Sequence, residues 1–323
     1  MEYRNLGASG LKVSQLGLGT NSFGGRADKK TSIDIIHAAL DHGITLIDTA
    51  NGYTQGQSEQ IIGEALKGRR SQAVIATKAG LPQGPGPYNR GTSRRHLTLQ
   101  LEQSLKRLQT DFVDLFYVHT FDPDTSYEET VQTLDDFVRQ GKVLYVACSN
   151  YRPQELASAL GVARAHGWER FCGLQPSYSL LDRTPERELI PLAQSEGVGI
   201  VAYYPLAGGV LTGKYQGGHI PSGSRAERQP DFLARVSPAL RTAGDRFADL
   251  AWQASYEPSA LALAWLMDRP NVASAIVGAT RVEQVLENLK ALDVAIDGEL
   301  DRQLDELSAP FVQGEPFGWY RLS

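Results

Sequence analysis

Eight short, β-branched apolar runs, each followed by a longer segment of helical period, recur along 323 residues without a break in composition. That alternation predicts an α/β chain closing as one (β/α)8 TIM barrel, a single domain over 1–323. The strand-like runs are continuously apolar rather than alternating, as expected where both faces of a sheet are covered. A doubly wound open sheet is the structural rival. The count of eight and the lack of a Gly-rich dinucleotide turn argue against it.

The elements follow in order. Residues 3–6 and 11–13 flank Gly7-Ala8-Ser9-Gly10 and predict an N-terminal β-hairpin that plugs the barrel floor. The first four units pair strands 15–19, 45–48, 73–78 and 112–119 with helices 30–42, 58–67, 93–108 and 127–140. Helix 93–108 illustrates the period: Leu97, Leu101, Ser104, Leu105 and Leu108 recur at spacings of three and four and form one face. The last four pair strands 143–149, 172–175, 199–203 and 273–277 with helices 153–166, 185–196, 258–268 and 282–292. One long irregular connection remains after strand 7, from Gly208 to about Ser237, rich in Gly and Arg. A loop of that length in a compact domain is usually functional, and it is expected to cover a ligand.

With 41% hydrophobic and 21% charged residues, the chain can bury a large core, which excludes disordered and low-complexity architectures. A formal net charge of −5 gives no hint of the basic face that a nucleic-acid or anionic-membrane partner requires. Two cysteines, Cys148 and Cys172, exclude a disulfide framework and suit a reducing compartment. The N-terminus has no apolar core of a signal peptide. The longest mostly apolar stretch, 198–211, is broken by Pro205, Gly208 and Gly209 and is too short to span a bilayer. A cytoplasmic protein is expected, with its oligomeric state left open.

In such a barrel the polar residues at the C-terminal strand ends converge on one mouth, where chemistry takes place. Strand by strand, that position holds Thr20 with Asn21, Asp48, Lys78, His119, Ser149 with Asn150, Gln175, Tyr203 and Gly278, and Tyr53 lies five residues beyond Asp48. A tyrosine with a pKa of about 10 is a poor acid at neutral pH unless a cation stabilises its phenolate. Lys78 supplies such a charge, Asp48 can hold Lys78 in place, and His119 can donate a hydrogen bond to a substrate oxygen. These groups polarise a carbonyl and protonate the alkoxide, so the electrons must come from a bound cofactor. No HxH, HExxH or GxSxG motif occurs, so neither a metal nor a serine nucleophile is expected.

The segment Ile47-Asp48-Thr49-Ala50-Asn51-Gly52-Tyr53, followed by Gly56-Gln57-Ser58-Glu59, resembles the D-T-A-x-x-Y signature of the aldo-keto reductases. The likeness continues through Thr77-Lys78, Asp114-Leu115-Phe116-Tyr117-Val118-His119 with Asp122, Gly141-Lys142 leading to Ser149-Asn150, and 175–183, 203–215 and 276–288. It therefore spans nearly the whole chain. The 205–215 stretch is similar to the bacterial and potassium-channel-β-subunit-like branch. The resemblance implies reduction of aldehydes or ketones with NADP(H), and NAD(H) as an alternative, by a tetrad of Asp48, Tyr53, Lys78 and His119 with Tyr53 as general acid. It implies that Ser149, Asn150 and Gln175 hold the nicotinamide carboxamide and that Tyr203 stacks on the ring. Lys214 and Arg225 would contact phosphates; Gly278, Thr280, Arg281, Gln284, Glu287 and Asn288 would surround the adenosine, with Arg281 at the 2′-phosphate. Thr20, Asn21, Asp48, Tyr204, Pro205, Leu206, Ala207 and Gly208 complete the expected cofactor contacts. Asn21, Phe23, Tyr53, Tyr88 and His119 are the expected substrate contacts.

Two departures stand out: Tyr204 where many relatives have Ser, and Ala147 where many have Gly. The channel-binding relatives replace the catalytic His, which this chain keeps as His119. That favours an enzyme over the alternative, a cofactor-sensing regulatory subunit with little turnover. Gly208 to Lys214 fits the GxxxxGK core of a phosphate loop but is followed by Tyr215 instead of Ser or Thr. Arg228, Arg235, Arg241 and Arg246 are interleaved with acids and are expected to be solvated. The tail 311–320, with Phe317, Trp319 and Tyr320, is expected either to pack as a terminus or to wall the substrate pocket beside Phe23 and Tyr88.

Overall fold

A computed structural model describes residues 1–229, 231–232, 236–314 and 321–322. Eight parallel strands close a barrel: β3 (Leu16–Gly19), β4 (Leu46–Asp48), β5 (Val74–Ala79), β6 (Val113–Val118), β7 (Val143–Ser149), β8 (Gly173–Gln175), β9 (Gly199–Ala202) and β10 (Val272–Gly278). β10 pairs back onto β3, with Gly278 opposite Gly19. The preceding strands β1 (Tyr3–Asn5) and β2 (Lys12–Ser14) form the antiparallel hairpin expected from the Gly7–Gly10 turn. Leu6 and Val13 join the cluster that fills the barrel interior, together with Leu46, Leu115, Tyr117 and Val201. The hairpin therefore stoppers the N-terminal end of the barrel.

Outside the strands lie α1 (Lys29–Asp41), α2 (Gln57–Ala65), α3 (Arg94–Leu108), α4 (Tyr127–Arg139), α5 (Pro153–His166) and α6 (Leu189–Ser195). Their starts obey capping chemistry: the side chains of Asp28, Ser93 and Ser126 accept from the backbone N–H groups of Thr31, His96 and Glu129. A larger core cluster fills the layer between strands and helices, which is why the strands read as unbroken apolar runs.

After β9 the chain departs from the eightfold pattern. The expected long connection contains a 3-10 segment (Ala207–Thr212) and the single-turn helix α7 (Arg225–Arg228). Positive φ angles at Tyr204, Ala207, Gly208 and Gly209 prevent a regular helix across the GxxxxGK stretch. Two further helices were not anticipated: α8 (Pro238–Gln253), capped by Ser237, and α11 (Gly298–Ser308), capped by Asp297. Between them lie α9 (Pro258–Met267) and α10 (Val282–Leu289). α9 is buried on all sides because α8 and α10 flank it while β10 lies beneath.

Candidate active site

Adjacent parallel strands in register bring their C-terminal ends to a common level. Asp48 ends β4, Lys78 lies one residue from the end of β5, and His119 directly follows β6, its N–H donating to Ala79 O at 2.8 Å. The Lys78 side chain is fully buried; its ammonium donates to Asp48 Oδ1 and, at 2.7 Å, to Thr49 O. Asp48 Oδ2 accepts from Gln175 Nε2 at 2.8 Å. Burial pushes Lys78 below its ordinary pKa and Asp48 above its own, each opposed by the other's charge.

Tyr53 opens a 3-10 turn in which Thr54 and Gln55 both take left-handed backbone angles, φ 48° and 58°. Two consecutive non-glycine residues in this region mark a backbone held in place by its surroundings. Thr54 Oγ1 donates to Phe23 O at 2.6 Å and secures the turn. The Tyr53 ring lies edge-on to His119, centroids 6.1 Å apart, and 5.4 Å from Lys78 Nζ. Burial first, and then Lys78, hold His119 well below the usual imidazole pKa, so the ring is neutral at neutral pH.

Glu59, fully buried on α2, accepts from Thr77 Oγ1 and Arg107 Nε, each at 2.6 Å. The three-way contact clamps α2 and α3 to β5 one residue before Lys78. Glu59 stands in the sequence within the Gly56–Glu59 motif with no role expected of it; a carboxylate on the inward face of a helix is the signal for one.

Ser149, Asn150, Gln175 and Tyr203 form a connected ring along the next three strand ends. Ser149 Oγ donates to Gln175 O at 2.8 Å, Asn150 Nδ2 to His119 O at 2.9 Å, and the Tyr203 hydroxyl to Asn150 Oδ1 at 2.6 Å. Arg321, also missed, donates to Asn150 O at 3.2 Å and pairs with Glu155 through both terminal nitrogens.

The strand-end groups from Asp48 to Tyr203, Lys78 apart, face one cavity of about 710 Å3. Of the residues expected at the site, Thr20, Asn21, Asp48, Tyr53, His119, Ser149, Asn150, Gln175, Tyr203, Tyr204, Pro205, Leu206, Gly208, Lys214, Arg225, Gly278, Thr280, Arg281, Gln284, Glu287 and Asn288 line it. Lys78 lies just behind the wall, beneath Tyr53.

Three expected contacts sit elsewhere. The Phe23 ring is fully buried in the core, and it is its carbonyl that serves the site, through Thr54. Tyr88 is 62% exposed, its ring under the Arg95 guanidinium at 4.3 Å and its carbonyl oxygen bonded to His96 Nδ1. Ala207 is buried, its N–H turned onto Tyr204 O. Phe317, Trp319, Tyr320 and Arg235 lie outside the described residues.

The cavity's charge exceeds the expectation. Arg228, expected to be solvated, lines it, three residues from Arg225 on one helical turn, and so does Arg26 from the turn after β3. Burial first, then Arg26, Arg281 and Arg225, push Lys214 below its ordinary pKa. Arg281 is engaged with Glu287 at 3.3 Å, so its guanidinium is already directed. A concentration of cations beside an aromatic ring and amide side chains fits a dinucleotide, whose phosphates need the cations and whose nicotinamide needs the amides. Among the described residues, no group of three or more His, Cys, Asp or Glu is placed to hold a metal, and no helix is long and apolar enough to cross a membrane.

The model of the aldo/keto reductase family matches residues 15–309. The chain is 39% identical to an uncharacterized oxidoreductase of Bacillus subtilis, over 95% of this chain and 96% of that one. It is 38% identical to an L-glyceraldehyde 3-phosphate reductase of Escherichia coli K12, over 91% and 88% of the two chains. It is also 39% identical to a probable voltage-gated potassium channel subunit beta of Arabidopsis thaliana, over 91% and 92%.

Proposed function

The chain belongs to the aldo/keto reductase family, and from that premise we propose that it is an NADPH-dependent reductase of small aldehydes or ketones, with NADH as a second cofactor. The family is one of oxidoreductases that use nicotinamide cofactors. The finer reading rests on one observation: Asp48, Lys78, Tyr53 and His119 meet at the wall of a single cation-lined cavity.

When bound, the reduced nicotinamide supplies the hydride. The chain's own residues do the rest. His119, a neutral imidazole, orients the substrate oxygen by hydrogen bonding, and Asn21 borders the same space. The Tyr53 hydroxyl passes its proton to that oxygen, and the Lys78 charge near the ring stabilises the phenolate left behind. Asp48 keeps Lys78 charged and aimed. Ser149, Asn150 and Gln175 would hold the carboxamide through amide and hydroxyl groups, Tyr203 would stack on the nicotinamide, and Lys214 and Arg225 would hold the phosphates. The domain is the whole of 1–323, and the two cysteines support a cytoplasmic setting.

The test compares wild type with Tyr53→Phe, following NADPH consumption with 4-nitrobenzaldehyde and cofactor binding by fluorescence. Loss of a general acid should lower turnover about 10²- to 10⁴-fold with cofactor affinity retained; comparable turnover in the variant sinks the assignment. Arg281→Ala should weaken NADPH far more than NADH, and equal losses remove Arg281 from the 2′-phosphate. The likeness to channel β subunits favours a second reading, a cofactor sensor, which predicts tight binding with negligible turnover in wild type too.

A further inference from the structure

Asn150 is a junction between three strand ends. It is buried, and its backbone is left-handed, φ 57°, a region asparagine enters more readily than most residues. Its Nδ2 donates to His119 O at 2.9 Å and to Ser149 Oγ at 3.0 Å, and its Oδ1 accepts from the Tyr203 hydroxyl at 2.6 Å. Both amide hydrogens are thereby committed, so the main chain at His119 and the ring of Tyr203 rest on one side chain. Where that side chain points depends on the peptide that carries it.

The peptide is held from far along the chain. Arg321 Nη1 donates to Asn150 O at 3.2 Å and to Glu155 Oε2 at 2.7 Å, while Nη2 donates to Glu155 Oε1 at 2.5 Å. The same Oε2 accepts from the Arg152 N–H at 2.8 Å, so Glu155 ties the guanidinium to the first turn of α5. Glu155 is buried, the Arg321 side chain is 23% exposed, and the guanidinium lies 5.4 Å from the Phe121 ring. A forked pair of this kind, largely out of water, fixes direction as well as distance. Neither Arg321 nor Glu155 is among the residues that line the cavity.

We propose that Arg321 and Glu155 are positioning residues that act through Asn150. The guanidinium fixes the Asn150 peptide, and the Asn150 side chain then holds His119 and Tyr203 in mutual alignment for hydride transfer. The proposal rests on the reading of this site as that of a nicotinamide-dependent reductase.

The test uses Arg321→Met and the double variant Arg321→Met/Glu155→Gln in the full chain. Arg321→Met keeps the apolar stem and removes the fork, but it strands a buried carboxylate and should lower the Tm. The double variant removes that charge and should bring the Tm back towards wild type, with the Asn150 contact still lost. Each is mixed as its NADPH complex with 4-nitrobenzaldehyde in a single turnover. Misalignment should lower the rate constant about 10- to 100-fold in both variants. A merely structural Arg321 would lower the amplitude, through fewer folded molecules, and leave the rate constant alone. A rate constant within about twofold of wild type in the double variant overturns the proposal.

Amide exchange separates this inference from the one beneath it. The Asn150 N–H donates to Gln175 O at 3.4 Å, so loosening its peptide should speed exchange across 149–151 in the double variant. If wild type turns over no aldehyde and that exchange still rises, the reading of function fails and the link from Arg321 to Asn150 stands. If exchange across 149–151 is unchanged, Arg321 does not hold the peptide and the proposal falls.

Discussion

His119 carries two consequences of one burial. Within the proposed reaction its neutrality makes it a hydrogen-bond donor instead of a competing acid. In the folding equilibrium its depressed pKa means that below about 6.5 the unfolded chain binds a proton the folded chain refuses. Stability should therefore fall as pH drops through that value, and buried His96, shifted in the same direction, adds to the slope. Urea unfolding between pH 5 and 7.5 should show a shallower slope in His119→Gln, by up to about 1.4 kcal/mol per pH unit; identical slopes would mean that the imidazole titrates normally. The Glu59–Arg107 contact makes a second prediction. Arg107→Met leaves a fully buried carboxylate with Thr77 as its remaining partner, and should cost about 3–5 kcal/mol in unfolding free energy. Thr77, which Glu59 holds, immediately precedes Lys78 on β5, so loosening this clamp should also lower turnover. Positions such as Asp48, Lys78 and His119 were legible because a strand end maps directly onto the barrel mouth. Arg26 and Arg228 were not, because the direction of a side chain on a turn depends on the path of the turn.

At the scale of elements, the hairpin turn seats closely against the strands it plugs. Gly7 has φ 59°, and a Cβ there would stand 2.2 Å from Gly197 O and 2.6 Å from Gly199 N. The neighbouring Ala8 N–H donates to Gly197 O at 2.8 Å. Gly7→Ala must therefore move the plug out of the barrel, at about 2 kcal/mol or more. Thermal unfolding would register this as a lower Tm, while the cavity at the opposite end keeps its cofactor affinity; an unchanged Tm would mean that the hairpin yields freely. The strands and most helices could be read from periodicity because each packs a strand-facing stripe. α8 and α11 escaped because neither has a place in strand–helix alternation. α8 packs on the 207–212 turn and on α9, and the start signal Ser237-Pro238 had no strand before it to give it meaning.

For the whole molecule, net charge and local charge point in opposite directions. The chain carries −5, yet Arg26, Lys214, Arg225, Arg228 and Arg281 surround one cavity. An acidic body with a basic mouth should attract polyanionic ligands at low ionic strength and lose that advantage above a Debye length of screening. Dinucleotide association rates should fall steeply between 10 and 150 mM salt; insensitivity would place the cations away from the ligand. The one-domain reading carries its own check: near- and far-UV circular dichroism should report coincident unfolding transitions, and two separated steps would divide the chain. The hairpin returns here in a different light. With Leu6 and Val13 stoppering one end and Leu46, Leu115, Tyr117 and Val201 filling the interior, the barrel is a solid plinth and not a passage. Whatever binds at the rim must enter and leave by the same face.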